Sequence, residues 1–190
     1  MTVLCGKRVT LRPWRDDDRA PFAALNDDPE VMRHLSGRLG RGESDALAQR
    51  LGGLVDANGF GLWALEVPGL GFAGFVGFSP RVPFEFALPG IVAQPHEIGW
   101  RLARAAWGHG YATEGAMLAL HHGFEALGLP QVVSFTVAAN RASQAVMQRI
   151  GLSFRGEFDH PRFPPGHPLH RHLLYAADRP ARADTGEAAA

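Results

Sequence analysis

Trp107-Gly108-His109-Gly110-Tyr111-Ala112-Thr113-Glu114 follows a short apolar segment, Ile98 to Leu102, and opens a helical pattern. Gly108 and Gly110 allow backbone conformations and close approaches that a Cβ would forbid. A helix beginning there aims its free N–H groups and positive dipole end at the turn, which suits an anion, above all a phosphate or pyrophosphate. Three readings compete on the residues alone. A P-loop requires Gly-Lys-Ser/Thr at the helix start, whereas Gly110-Tyr111-Ala112 contains no lysine. A dinucleotide turn requires Gly-x-Gly-x-x-Gly early in a βαβ unit, but position 113 is Thr and the motif lies past mid-chain. The third reading is a tight strand-to-helix turn with no ligand.

Upstream, Val9 and Leu11 mark a first strand ended by Pro13. Asp16 and Asp17 are placed to cap a helix through Phe22 and Leu25. Asp28-Pro29-Glu30 opens a short helix with Val31, Met32 and Leu35 apolar, and Ser44 is placed to cap a helix from Asp45 to about Val55. Phe60 to Val67 and Phe72 to Phe78 read as a hairpin turning at Gly69 to Gly71. Residues 80–95, with four prolines, read as a long loop.

Downstream of the turn, a helix is expected from about His109 to Leu127, burying Met117, Leu120, Phe124 and Leu127. Val132 to Val137 is β-rich. Asn140 caps a helix with the stripe Ala142, Val146 and Ile150, stopped by Gly151. Leu152 to Phe158 and Leu173 to Ala176 are the last strands. The Ala-, Arg- and Asp-rich tail from Asp178 reads as disordered, so residues 1–177 form one domain. This order predicts a mixed α/β sheet with the glycine turn at one strand's carboxyl end.

The segment resembles the acyl-CoA turn of the GNAT superfamily of N-acetyltransferases, in particular its RimJ/RimL-like, ribosomal-protein-alanine acetyltransferase branch. Ile98-Gly99-Trp100 precedes the turn as in that family. Asn140-Arg-Ala-Ser143 through Gly151-Leu-Ser-Phe154 fits its Asn-x-x-Ser helix, and Leu11-Arg12-Pro13-Trp14 and Asn26-Asp-Asp-Pro29-Glu-Val-Met32 match its front. The likeness spans about residues 8–176. One position departs: Ala105 stands where the family often has Gln or Arg, with Arg104 one place earlier.

The resemblance implies a predominantly antiparallel mixed sheet, flanked by helices and splayed between its fourth and fifth strands. Acetyl-CoA would be the co-substrate, its pantetheine pairing with backbone of Trp100, Arg101 and Leu102. Its pyrophosphate would sit on the amides of Trp107, Gly108, His109, Gly110, Tyr111 and Ala112. Direct attack by a primary amine, on a protein N-terminus or a small molecule, would need a base and an oxyanion donor, the Trp100 N–H. Ser143 would protonate the departing thiolate, and Asn140 would hold the pantetheine arm. On residues alone both are also helix-capping residues.

Glu97, Asp159 and His160 are the leading candidates for the base, with His96 behind them. Tyr111 and Tyr175 read as packing groups. His160, His167, His170 and His172 invite a metal reading, but Pro161, Pro164, Pro165 and Pro168 stiffen the segment, and it reads as a substrate-side loop instead; no metal is expected. Phe84 and Phe86 could wall the acceptor pocket. A non-catalytic acyl-CoA sensor is the alternative from a different class, sharing the turn but lacking the base and acid.

Bulk properties bound the partners. The 190 residues are 46% hydrophobic and 20% charged, with Lys plus Arg and Asp plus Glu at 19 each. No net field favours nucleic acid or an acidic membrane. The single cysteine, Cys5, rules out an internal disulfide framework. With no signal-like N-terminus and no long apolar run, the expectation is a cytoplasmic protein able to form a homodimer.

Overall fold

In the computed structural model, residues 2–181 are described. The strands are β1 (Leu4–Cys5), β2 (Thr10–Arg12), β3 (Leu62–Val67), β4 (Gly71–Arg81), β5 (His96–Leu102), β6 (Gln131–Val137), β7 (Ser153–Asp159) and β8 (Arg171–Asp178). The helices are α1 (Arg19–Asp27), α2 (Pro29–Met32), α3 (Arg41–Asn58), α4 (Tyr111–Glu125) and α5 (Arg141–Arg149). One sheet runs in the order β1-β2-β3-β4-β5-β6-β8-β7. Every neighbouring pair is antiparallel except β5 and β6.

The β5–β6 pairing is short. His96 aligns with Val132 and Glu97 with Val133, and there it stops. From Ile98 to Leu102, β5 keeps β4 on one side and has no ladder partner on the other. This is the expected splay. It lies between the fifth and sixth strands because β1, which the sequence pattern does not announce, adds a strand at the sheet edge.

The two faces of the sheet have separate cores. On one, α4 and α5 cover Leu65, Val76, Ile98 and Val132. Helix α4 lies so close that a Cβ on Gly123 would come within 2.6 Å of Phe78. On the other, α1 and α3 pack Phe22, Leu25, Ala48 and Leu51 against Phe75. A third cluster, with Val82, Phe86, Val133 and Leu174, sits beneath the proline loop. Gln131 pins that loop, accepting from the Val92 amide at 3.0 Å and donating to the Gly90 carbonyl at 2.7 Å.

Several expectations are corrected. Asp18, not Asp16 or Asp17, is the structural carboxylate at the front: buried, it accepts twice from Arg12 at 2.8 Å and once from the Arg15 amide. Helix α3 begins at Arg41 because the Glu43 carboxylate reaches back to the Gly40 amide. Ser44 is therefore inside the helix, buried, with its Oγ accepting from Asn26. Met117 is 54% exposed and Ala142 is also exposed, because these flanks of α4 and α5 face the splay rather than the sheet. Phe84 and Phe86 pack against Phe135 and Phe158. Strand β8 includes Asp178, where the tail was expected to begin, and Asp178 accepts from Gln131 and Arg155. The rest of the expected tail, from residue 182, lies outside the described residues.

Candidate active site

The splay opens into a groove of about 1100 Å³ between the N-termini of α4 and α5, the β1–β2 hairpin and α2. Its floor is Trp100, Arg101 and Leu102.

At one end lies the glycine turn. Gly108 and Gly110 have φ of 79° and 80°, the left-handed region. A Cβ on Gly108 would meet nothing within 4 Å, so conformation rather than crowding demands glycine there. The first helical bond is Glu114 N–H to Gly110 C=O at 3.0 Å. The amides of Gly108, His109, Gly110, Tyr111, Ala112 and Thr113 therefore find no acceptor among the described residues. A run of unpaired N–H groups ending in a helix N-terminus is an anion nest. Trp107 departs from expectation here. Its amide donates to Arg104 C=O at 3.0 Å, closing a short 3₁₀ turn, and its ring N–H donates to Leu102 C=O at 2.9 Å.

Arg8 from the β1–β2 hairpin crosses this turn. Its Nε donates to Glu114 at 2.8 Å, its Nη1 donates to His109 C=O at 2.9 Å, and its guanidinium stands 5.4 Å from the Tyr111 ring centre. Burial opposes the charge on Glu114, but the Arg8 N–H and guanidinium hold its carboxyl below the usual range. Lys7, Arg33, His34, His121 and Arg149 also line the groove. Only Arg101, Arg104 and His109 can be grouped as a basic patch from sequence. The others converge through the hairpin and the placement of α2, for which no local motif exists.

Across the splay, Asn140 Oδ1 accepts from the Ser143 amide at 3.3 Å, and its Nδ2 donates to Thr136 Oγ1 at 3.0 Å. Asn140 thus caps α5 and ties it to β6. Ser143 Oγ lines the groove and makes no hydrogen bond among the described residues.

On β5, Glu97 is half-buried and accepts from Ser79 Oγ at 2.9 Å. Burial pushes its carboxyl up to about 7, against the lowering effect of that hydrogen bond. Asp159 and His160 stand elsewhere. Asp159 pairs with Arg171 at 2.9 Å, and His160 packs edge-on to Phe84 and tilted against His172, 5.1 and 5.0 Å between ring centres. Neither lines the groove, nor do Phe84, Phe86 or Glu97 itself, which lies at the strand end where β5 and β6 part. Tyr111 lines the groove, whereas Tyr175 is buried against Phe154.

Residues 8–153 match the family model described as an acetyltransferase (GNAT) domain. The FsC-acetyl coenzyme A-N(2)-transacetylase of Aspergillus fumigatus is 32% identical over 166 residues, covering 84% of this chain and 69% of that protein. Among solved structures, a GNAT-family acetyltransferase from Bacillus anthracis superposes with a TM-score of 0.76 at 20% identity, over 94% of this chain and 99% of that one. RimL, a ribosomal L7/L12 alpha-N-protein acetyltransferase solved in complex with coenzyme A, superposes with a TM-score of 0.75 at 16% identity, over 93% and 98%.

Proposed function

Because the chain belongs to the GNAT acetyltransferases and is an N-acetyltransferase, we propose that it transfers the acetyl group of acetyl-CoA directly to a primary amine within a ternary complex. The observation that carries this is the row of six free amides, Gly108 to Thr113, opening onto the unpaired edge of β5. The residues fit the group. The amides and Arg8 suit a pyrophosphate, and the strand edge offers backbone donors and acceptors to an amide-bearing pantetheine arm. Trp100, Arg101, Leu102 and the apolar flank of Trp107 and Met117, which line the groove, would border its course.

Acetyl-CoA would supply an acetyl group already activated as a thioester. The chain's own residues supply the rest. Glu97, with its carboxyl near 7, is the base that takes a proton from the incoming ammonium, directly or through water. The Trp100 N–H is the donor for negative charge developing on the acetyl oxygen. Ser143 Oγ, without a hydrogen-bond partner among the described residues, gives a proton to the sulfur as it leaves and regains one from the nitrogen of the new amide, and Asn140 holds α5 so that this hydroxyl faces the groove. Asp159 and His160 have no part in this scheme, since Arg171 and the aromatic cluster occupy them. The acceptor is an amine on a small molecule or at a protein N-terminus. The N(2) in the fungal relative's name supports the former. Release of free CoA across a panel of amines and peptides tests the reading. Amine-dependent release is expected, and none above the hydrolytic background would contradict it.

A further inference from the structure

Two arginines among the described residues carry largely buried guanidinium groups, and they are treated oppositely. Arg12, 5% exposed, is met by the carboxylates of Asp18 and Glu66. Arg101 is met by none among the described residues. Its one hydrogen-bond partner is the neutral Asn26 Oδ1, its Nε is buried with no acceptor, and its guanidinium lies 5.3 Å from the Phe75 ring centre. The carboxylates of α2 and its cap are engaged elsewhere, Glu30 by Arg33 and Asp28 by Arg104. Asn26 cannot turn away to relieve the arrangement, because it is fully buried and donates to Ser44 Oγ at 2.9 Å. Burial pulls the guanidinium down to about 10, so it remains a cation at neutral pH. A desolvated charge without a counter-charge is costly in the free protein and favours whatever anion enters beside it.

The position of Arg101 says which anion. Residues alternate across a strand, so Glu97, Gly99 and Arg101 lie on one face of β5. Between the acid and the cation, Gly99 leaves a gap in which even a Cβ would meet nothing within 4 Å. One face of the strand thus presents a proton acceptor, open space and an unbalanced guanidinium, and Arg101 lines the groove.

We infer that Arg101 recognises a carboxylate on the acceptor, and that the acceptor is an amino carboxylate, with the acidic group within a few bonds of the amine that is acetylated. This rests on the acetyl-transfer reading above and adds the class of acceptor to it. A guanidinium presents fixed donors that match a planar carboxylate better than a neutral amide.

The test uses the intact protein at saturating acetyl-CoA and compares kcat/KM within matched pairs. These are free amino acids against their carboxamides, and peptides with Asp or Glu second against the same peptides with Asn or Gln. The acid member of a productive pair should be preferred by about tenfold or more, the scale of a charge-assisted contact. Arg101→Gln should bring that ratio towards one, and Arg101→Lys should keep part of it, retaining charge but not the fork. Because the ratio is taken within one variant, partial loss of folded protein cancels. The wild-type ratio and the lysine variant still decide the matter if the glutamine variant does not fold. A wild-type ratio near one, or a ratio that survives in Arg101→Gln, would overturn the assignment while leaving acetyl transfer to amines standing. Absence of transfer to every member would instead overturn the transferase reading, and this inference with it.

Discussion

Ser79 Oγ donates to Glu97 Oε2 at 2.9 Å between β4 and β5, at the point where β5 loses β6 as a neighbour. Burial nevertheless dominates and raises the carboxyl to about 7. A base must be ionised to act, so kcat/KM should rise with pH through an apparent ionisation near that value. Glu97→Gln should remove the ionisation and lower kcat by about a hundredfold or more. The same shift has a stability consequence. The folded carboxyl titrates above its ordinary 4.5, so the native state binds the extra proton and stability declines as pH rises from that value through about 7. Thermal midpoints of Glu97→Gln should lack that decline. An unchanged pH–rate profile in the variant would assign the base elsewhere.

Gly110 holds φ at 80° as the residue before α4, and Arg8 Nη2 stands 3.4 Å from where a Cβ would be. A residue with a Cβ in this region costs about 1–2 kcal/mol, and a β-branched one more. Gly110→Val should therefore disturb the row of free amides and weaken acetyl-CoA binding in calorimetry by about tenfold or more. Unaltered affinity would take the turn out of the binding site.

Ser143 Oγ has no hydrogen-bond partner among the described residues, whereas the Ser143 amide is what Asn140 caps. Ser143→Ala leaves that cap intact. It should lower turnover by about tenfold or more while changing acetyl-CoA affinity little. Equal losses in affinity and turnover would give Ser143 a binding role rather than an acid role.

His172 sits 8% exposed among Phe135, Phe158, His160 and Phe163, its Nδ1 without a partner. Burial lowers its ionisation to about 4, with His160 adding to the effect. A folded value below the ordinary 6.5 means that stability is fully present above 6.5 and is lost as pH falls towards 4. His172→Phe should remove this acid-side loss, so the variant's thermal midpoint should gain on that of the wild type as pH falls from 6.5 towards 4, opposite in sign to the Glu97 contribution over the same range. A variant with the wild-type acid sensitivity would point to other groups.

Much of the fold is legible in the residues because the signals are local. The Asp28 start of α2 and the Asn140 cap of α5 act within one turn of chain, and the structure has both. The errors arise where a distant group decides. Ser44 reads as a cap until Glu43 is seen to take that work, which frees Ser44 to bond Asn26. Met117 and Ala142 obey a helical stripe, but the splay turns their side of the helix towards solvent. In the site, the glycine turn and the Asn-x-x-Ser helix are contiguous motifs. Arg8 and Arg101 are single residues, and what they face is set by the β1–β2 hairpin and by the buried Asn26–Ser44 pair. No spacing rule announces either.

The amides of Gly108 to Thr113, which have no acceptor among the described residues, are the groups expected to hold acetyl-CoA. Amide hydrogen exchange of that segment with and without CoA decides the matter. Fast exchange in the free protein is predicted, since these groups lack acceptors, with strong protection on adding CoA, extending to Trp100–Leu102 and the start of α5. Protection that falls elsewhere while residues 108–113 exchange unchanged would contradict the account.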